Sequence, residues 1–420
     1  MSRAANWRRM AWAWLCAAGL AAAAAHAADW PQWRGPDRSG CSAETGLLQS
    51  WPEGGPALLW CVEGLGKSHS STAIAGGRIY APGAVGTNGF LFCLDLDGQI
   101  LWKTGYGPEG PGGAAYARST PTVDGDRVYL MTAQGRVVCM GAAKGELLWE
   151  LDTVQEFGAK VPQHGIAESV AVAGGVVVCT PGGSNAAVIG IDRLSGRARW
   201  RTEGLSDGSG YNQPLVVRRG GLDLAVVMTD RSLLGIDAVS GRVLWRESYG
   251  AAGPHAAVGQ QCFTPALCGD ILYAPAGPDA VARGYALSAD GASVRRLWEQ
   301  PRMTVHHGGV VAVGGCVYGT HGHWRAMCLD ARTGQILYES PQRVGMAATI
   351  YADGMLYMAF LDGTVRLVRA TPGAYQEVSA FRIPKGSGEY YAHPAIANGR
   401  LYLRHGEALM AYDIRRPAQR

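Results

Sequence analysis

Three stretches, GIDRLSGRARW (190–200), GIDAVSGRVLW (235–245) and CLDARTGQILY (328–338), align residue for residue in one eleven-residue frame. CMGAAKGELLW (139–149) fits it with Gly141 in place of Asp, and CLDLDGQILW (93–102) fits with one residue deleted in the turn. A looser copy, ALSADGASVRRLW (286–298), carries an insertion. Each reads as strand, glycine turn, strand. Such a repeat constrains the fold more tightly than composition does, because a unit that cannot bury its apolar face alone must stack against its own copies.

Upstream of the frames lie further hairpins: STAIAGGRIYAPG (71–83), STPTVDGDRVYLM (119–131), SVAVAGGVVVCTPG (169–182), TPALCGDILYAPAG (264–277), GGVVAVGGCVYGT (308–320), ATIYADGMLYMAF (348–360) and HPAIANGRLYLRH (393–405). QPLVVRRGGLDLAVVMTD (213–230) is the eighth, with a longer turn. Four short antiparallel strands in roughly 45 residues make one propeller blade. The last unit ends at LMAYDIR (409–415) without a fourth strand, while PALLWCVEG (56–64) is an orphan strand near the start. The expected fold is therefore all-β: an eight-bladed β-propeller of four-stranded antiparallel blades. Its ring is closed by pairing the N-terminal strand with the C-terminal blade, so that no open seam remains.

Arg8 and Arg9, an apolar run from Met10 to Ala25 and the Ala25-His26-Ala27 triplet describe a secretory signal, residues 1–27, cleaved after about Ala27. The chain is thus expected to be exported, to a periplasmic or extracellular location. Bulky Trp14 and Leu15 ahead of Cys16 do not suit a lipid-attachment site. No later segment has the roughly 18 uninterrupted apolar residues of a membrane helix. Residues 28–55 form an arm whose Trp30 and Trp33 predict packing on the propeller, which spans 56–415, and 416–420 is a short tail. A net charge of +4 with no long Lys or Arg run argues against nucleic acid as the main partner. Cysteines beyond the leader are spread evenly, so no dense disulfide framework is expected. Cys262 and Cys268 both lie near one inner strand, and whether they pair is left open. A monomer is expected.

The frame of small residue, Asp, turn, Ser or Thr, Gly, basic residue and Trp resembles the tryptophan-docking motif of the PQQ-like propeller repeats. That family includes the quinoprotein alcohol dehydrogenases and BamB-like outer-membrane assembly proteins. The resemblance runs from about Pro56 to Arg415 and implies the fold rather than the activity. Trp60, Trp102, Trp149, Trp200, Trp245 and Trp298, with Tyr338, are expected to lay their rings against the next blade. Cys93, Cys139 and Cys328 stand where other copies have Gly or Ala, and read as small buried residues.

Strands that zigzag through a blade send two kinds of loop to each face. Minimal turns such as GG, DG and NG occupy one face and have nothing to bind a ligand. The other face carries Lys67, His69, Tyr116, Arg118, His164, Glu168, Tyr211, Asn212, Gln261, His306, His307, Tyr391 and His393 on loops entering inner strands, with His321 and His323 on a second-to-third-strand loop. All nine histidines beyond the leader fall there. Longer loops hold more polar residues in any case, yet function concentrates on loops held by a rigid scaffold. Adjacent His306 and His307 point to opposite sides of an extended chain, so a four-histidine metal centre with His321 and His323 is not expected.

Three functions suit these residues. The first is a BamB-like binding or scaffold propeller that engages a protein or a glycan through the His/Tyr/Arg-rich face. The second, implied by the resemblance, is a dehydrogenase that oxidises an alcohol or sugar with PQQ and Ca²⁺. Against it stand the lack of a Cys-Cys pair and of a Cys-x-x-Cys-His haem site. The third is a carbohydrate-binding or carbohydrate-active propeller, with Tyr116, Tyr211 and Tyr391 stacking on sugars and Arg118 pairing with a carboxylate.

Overall fold

The computed structural model describes residues 29–110, 115–248, 264–275, 281–303, 308–321 and 324–417. Eight four-stranded antiparallel sheets follow one another in a ring. Blade 1 is Ala73–Ala75, Arg78–Val85, Asn88–Asp95 and Ile100–Pro108, ordered from the channel outward. Blade 8 takes three strands from the C-terminus, Ala395–Ala397, Arg400–His405 and Ala408–Asp413, and its outer strand, Ala57–Val62, from the N-terminus. Trp60 pairs with Ala411 in that seam. The tight hairpins follow from turn chemistry. Asn398-Gly399 and Asp353-Gly354 hold both central residues at positive φ (57° and 67°, 48° and 81°), as the primed turns of twisted hairpins demand.

The frame's residue pattern has a packing cause. Trp149 reaches into the next blade, donating its Nε1–H to the Arg193 carbonyl at 3.0 Å and covering Gly196. A Cβ at Gly196 would sit 2.7 Å from that ring, and φ there is +72°, so glycine is required twice over. Trp60, Trp200, Trp245 and Trp298 donate likewise to the carbonyls of Leu96, Ala238, Gly291 and Ala331. The Trp102 ring covers Gly145 in the same way. Within its own blade each ring crosses the frame's first position. Gly190 and Gly235 lie opposite Trp200 and Trp245, while Cys93, Cys139 and Cys328 lie opposite Trp102, Trp149 and Tyr338. Those three thiols are fully buried, and burial pushes Cys93 and Cys139 up to about 11.

Two details differ from the sequence reading. In blade 5 Trp298 pairs with Gly284, so that frame begins two residues before Ala286 and conforms to the small-residue rule. In blade 7 Ser379, opposite Leu367, stands where other blades place the docking aromatic. Trp51 of the arm comes to that place instead. Its backbone N–H donates to Ser379 Oγ at 2.9 Å, and its ring lies 5.9 Å from Tyr357 at 51°. The docking rings of blades 1, 2, 5 and 8 meet Tyr80, Tyr129, Tyr273 and Tyr402 at 5.9 to 6.1 Å.

Both ends of the arm rest on the turn face. Asp29 accepts from the Gly76 N–H, and the Leu47 N–H donates to Asp353. Between them the chain rises along the channel: Trp30 bridges Ile74, the Val123 N–H donates to the Pro31 carbonyl, and Gly40 and Ser42 bracket Tyr351. Arg34 donates to the carbonyls of Val310 and Thr349, and Arg38 to those of Ser169, Val170 and Pro214. The inner edges of six blades are thereby tied to one segment. Burial lowers Arg34 to about 10 and Arg38 to about 9, leaving both protonated at neutral pH.

Candidate functional site at the channel mouth

Register fixes which loop residues share a position around the ring. Ala73, Thr122, Ala171, Leu215, Ala266 and Ala395 are equivalent by their cross-strand partners. Two residues ahead of each, Ser71, Thr120, Ser169, Gln213, Thr264 and His393 line the top of the channel. Five of them form a hydrogen-bonded belt: the N–H of Ser71 donates to Thr120 Oγ1, Thr120 to Ser169 Oγ, Ser169 to Gln213 Oε1, and Gln213 to Thr264 Oγ1. Ser71 Oγ donates to the His393 carbonyl at 2.5 Å, extending the belt into blade 8. Short hydroxyl and amide side chains suit these positions because four of them accept a buried N–H of the preceding blade, while Ser71 donates to a carbonyl of blade 8.

Another two residues ahead, at the mouth, stand His69, Arg118, Tyr211 and Tyr391. Blades 8, 1 and 2 bring three of these together. The His69 ring stacks on Tyr116 at 4.3 Å and 22°, and tilts against Tyr391 at 4.6 Å. Lys67 Nζ lies 5.7 Å over the Tyr116 ring, and Arg118 donates to the Tyr116 carbonyl at 2.9 Å. Burial, helped by the Arg118 charge, lowers His69 to about 4, so its imidazole is neutral at physiological pH. Tyr391 donates to Glu389.

Other candidates lie around this cluster. Tyr211 Oη accepts the His164 N–H at 3.3 Å, with the two rings 6.2 Å apart. Asn212 is 1 % exposed, and among the described residues neither Oδ1 nor Nδ2 has a hydrogen-bond partner. Glu168 is buried and accepts the Thr180 N–H at 2.8 and 3.0 Å; burial raises it to about 8, with Arg38 acting in the opposite sense. His393 meets Trp33 edge-on at 5.0 Å, nearer the arm than the mouth. Gln261, His306, His307 and His323 lie outside the described residues, as does Cys262, while Cys268 is a free thiol.

Glu109 was not foreseen. It sits in GPEGPGG, which reads as a plain glycine loop, yet it is buried and accepts from Tyr106 Oη at 2.7 Å and the Ala133 N–H at 2.8 Å. Burial raises it to about 7, and Arg118 pulls it back. The channel arginines were equally hidden, although two arginines among the tryptophans and glycines of a short arm are a signal for buried guanidinium groups.

PQQ with Ca²⁺ requires a slot for a planar acid and several oxygen ligands for the cation. Among the described residues no three His, Cys, Asp or Glu side chains converge to hold a metal ion. The channel arginines are engaged by backbone carbonyls.

A family model described as outer membrane protein assembly factor BamB matches residues 57–167 and 143–374. A BamB from Alkalilimnicola ehrlichii is 41% identical over 61 residues, 14% of this chain; the match spans 15% of that relative's length. Among solved structures, BamB from Moraxella catarrhalis superposes with a TM-score of 0.64 at 16% identity, covering 85% of this chain and 99% of that one. A europium-containing methanol dehydrogenase gives 0.53 at 11% identity, covering 91% and 90%. At these identities the two structures attest the fold alone. Together with the repeat register, the family match over most of the ring assigns the chain to the BamB family of PQQ-like repeat β-propellers.

Proposed function

We propose that this chain is an exported binding module that engages its partner through the loop face around the channel mouth and carries out no chemistry of its own. The observation that supports this most is the arm: Arg34 and Arg38 lie within the channel and are held by carbonyls of five inner-edge residues. A channel lined in this way is a structural axle. The mouth above it gathers Lys67, His69, Tyr116, Arg118 and Tyr391 on a rigid belt. The relatives' description as assembly factors favours a macromolecular partner. Among the described residues no helix is long and apolar enough to cross a membrane.

Cross-linking of the protein to its partner in cells, followed by peptide mapping, tests the reading. Cross-links are expected on loops 64–72, 109–121 and 383–394; a concentration on the opposite turns would overturn it. The dehydrogenase alternative is tested on the purified chain with PQQ and Ca²⁺. Neither a thermal shift nor dye reduction with alcohols or aldoses is expected, and turnover would replace the binding reading.

A further inference from the structure

We infer that the channel mouth at blades 8, 1 and 2 is a binding site for an anionic sugar residue; this rests on the loop-face reading and names its ligand class. Charge is the first argument. Lys67 and Arg118 flank one aromatic cluster, and Arg118 has one N–H group on the Tyr116 carbonyl while its other N–H groups have no hydrogen-bond partner among the described residues. His69 between them is neutral, and the nearby acids are engaged: Glu389 by Tyr391, Glu109 by Tyr106 and Ala133. An Arg with free N–H groups beside a Lys suits a carboxylate or a sulfate.

Ring geometry is the second argument. Tyr116, His69 and Tyr391 support one another at 4.3 and 4.6 Å, which gives a fixed aromatic platform of the kind a pyranose packs against. The third is Tyr211, a further aromatic at the mouth, whose ring lies 6.2 Å from His164 and which is itself in electrostatic contact with Arg118.

Titration calorimetry on the full chain would use trigalacturonate, a sulfated disaccharide, neutral maltotriose and an Asp-rich peptide. The anionic sugars are expected to bind, the neutral one at least tenfold more weakly, and the sulfate and uronate arms identify which anion is preferred. Arg118→Gln is expected to weaken binding tenfold or more and Lys67→Gln about threefold. Arg343→Gln, on the same face beside Trp324, should leave binding unchanged. Unaltered thermal unfolding of each variant excludes misfolding, and loss of affinity in high salt gives a readout on the unmutated chain. Sugar binding insensitive to Arg118→Gln overturns the inference. Arg118-dependent binding of the peptide alone overturns the sugar class and leaves the loop-face reading standing. No binding by any probe also overturns the inference, and the cross-linking map then judges the face separately.

Discussion

Two buried carboxyls and one imidazole set the chemistry of single residues here. Burial raises Glu168 to about 8, so between its ordinary 4.5 and that value the folded chain holds a proton that the unfolded chain has lost. Its contribution to stability is full below pH 4.5 and declines as pH rises through that window, by at most about 1.4 kcal/mol per unit. Glu168→Gln keeps an oxygen for the Thr180 N–H and removes the titration. Its urea-unfolding free energy is expected to vary less between pH 5 and 8 than that of the unsubstituted protein. His69 acts with the opposite sign. Lowered to about 4, it contributes stability above pH 6.5 that is lost as pH falls toward 4. Glu109, at about 7, charges up beside Arg118, so affinity for an anionic sugar should fall as pH rises from 6 to 8, as calorimetry at the two pH values would record. None of this was legible in sequence, because a carboxyl in a glycine loop gives no sign of which backbone will close over it.

At the scale of elements, the docking aromatic joins one blade to the next, and blade 7 obtains its own from outside the repeat. Trp51 is 7 % exposed and contacts Tyr357 and Phe381 at 5.9 and 5.2 Å. Trp51→Ala is therefore expected to cost about 3 kcal/mol in urea unfolding, like Trp149→Ala within the ring. A cost below about 1 kcal/mol would show that the arm merely lies on the surface. The repeat frame was legible because each docking position recurs with its glycine and its small partner residue, a periodic signal. Trp51 and Ser379 lie 328 residues apart with no period linking them. Only the closed ring makes them neighbours.

At the scale of the molecule, the ring is held at three radii: at the axis by the arm's arginines, at the channel top by the belt, and between blades by the docking rings. Arg38→Ala removes the donors that three inner-edge carbonyls share. Hydrogen exchange is expected to quicken across the inner strands of blades 2 to 4, with the outer strand Ile100–Pro108 little changed. Uniform quickening would assign the arm a global role instead. The sequence by itself determined the blade number and the closure of the last blade by the first strand. Both follow from local periodicity and alternating strand direction. The tertiary structure alone decided that the arm rises through the channel, that His69 sits between Tyr116 and Tyr391 with Arg118 alongside, and that Asn212 and Glu109 are buried. Those facts depend on which loops a closed ring brings face to face, and on how far burial then shifts the charge of each group, neither of which local sequence encodes.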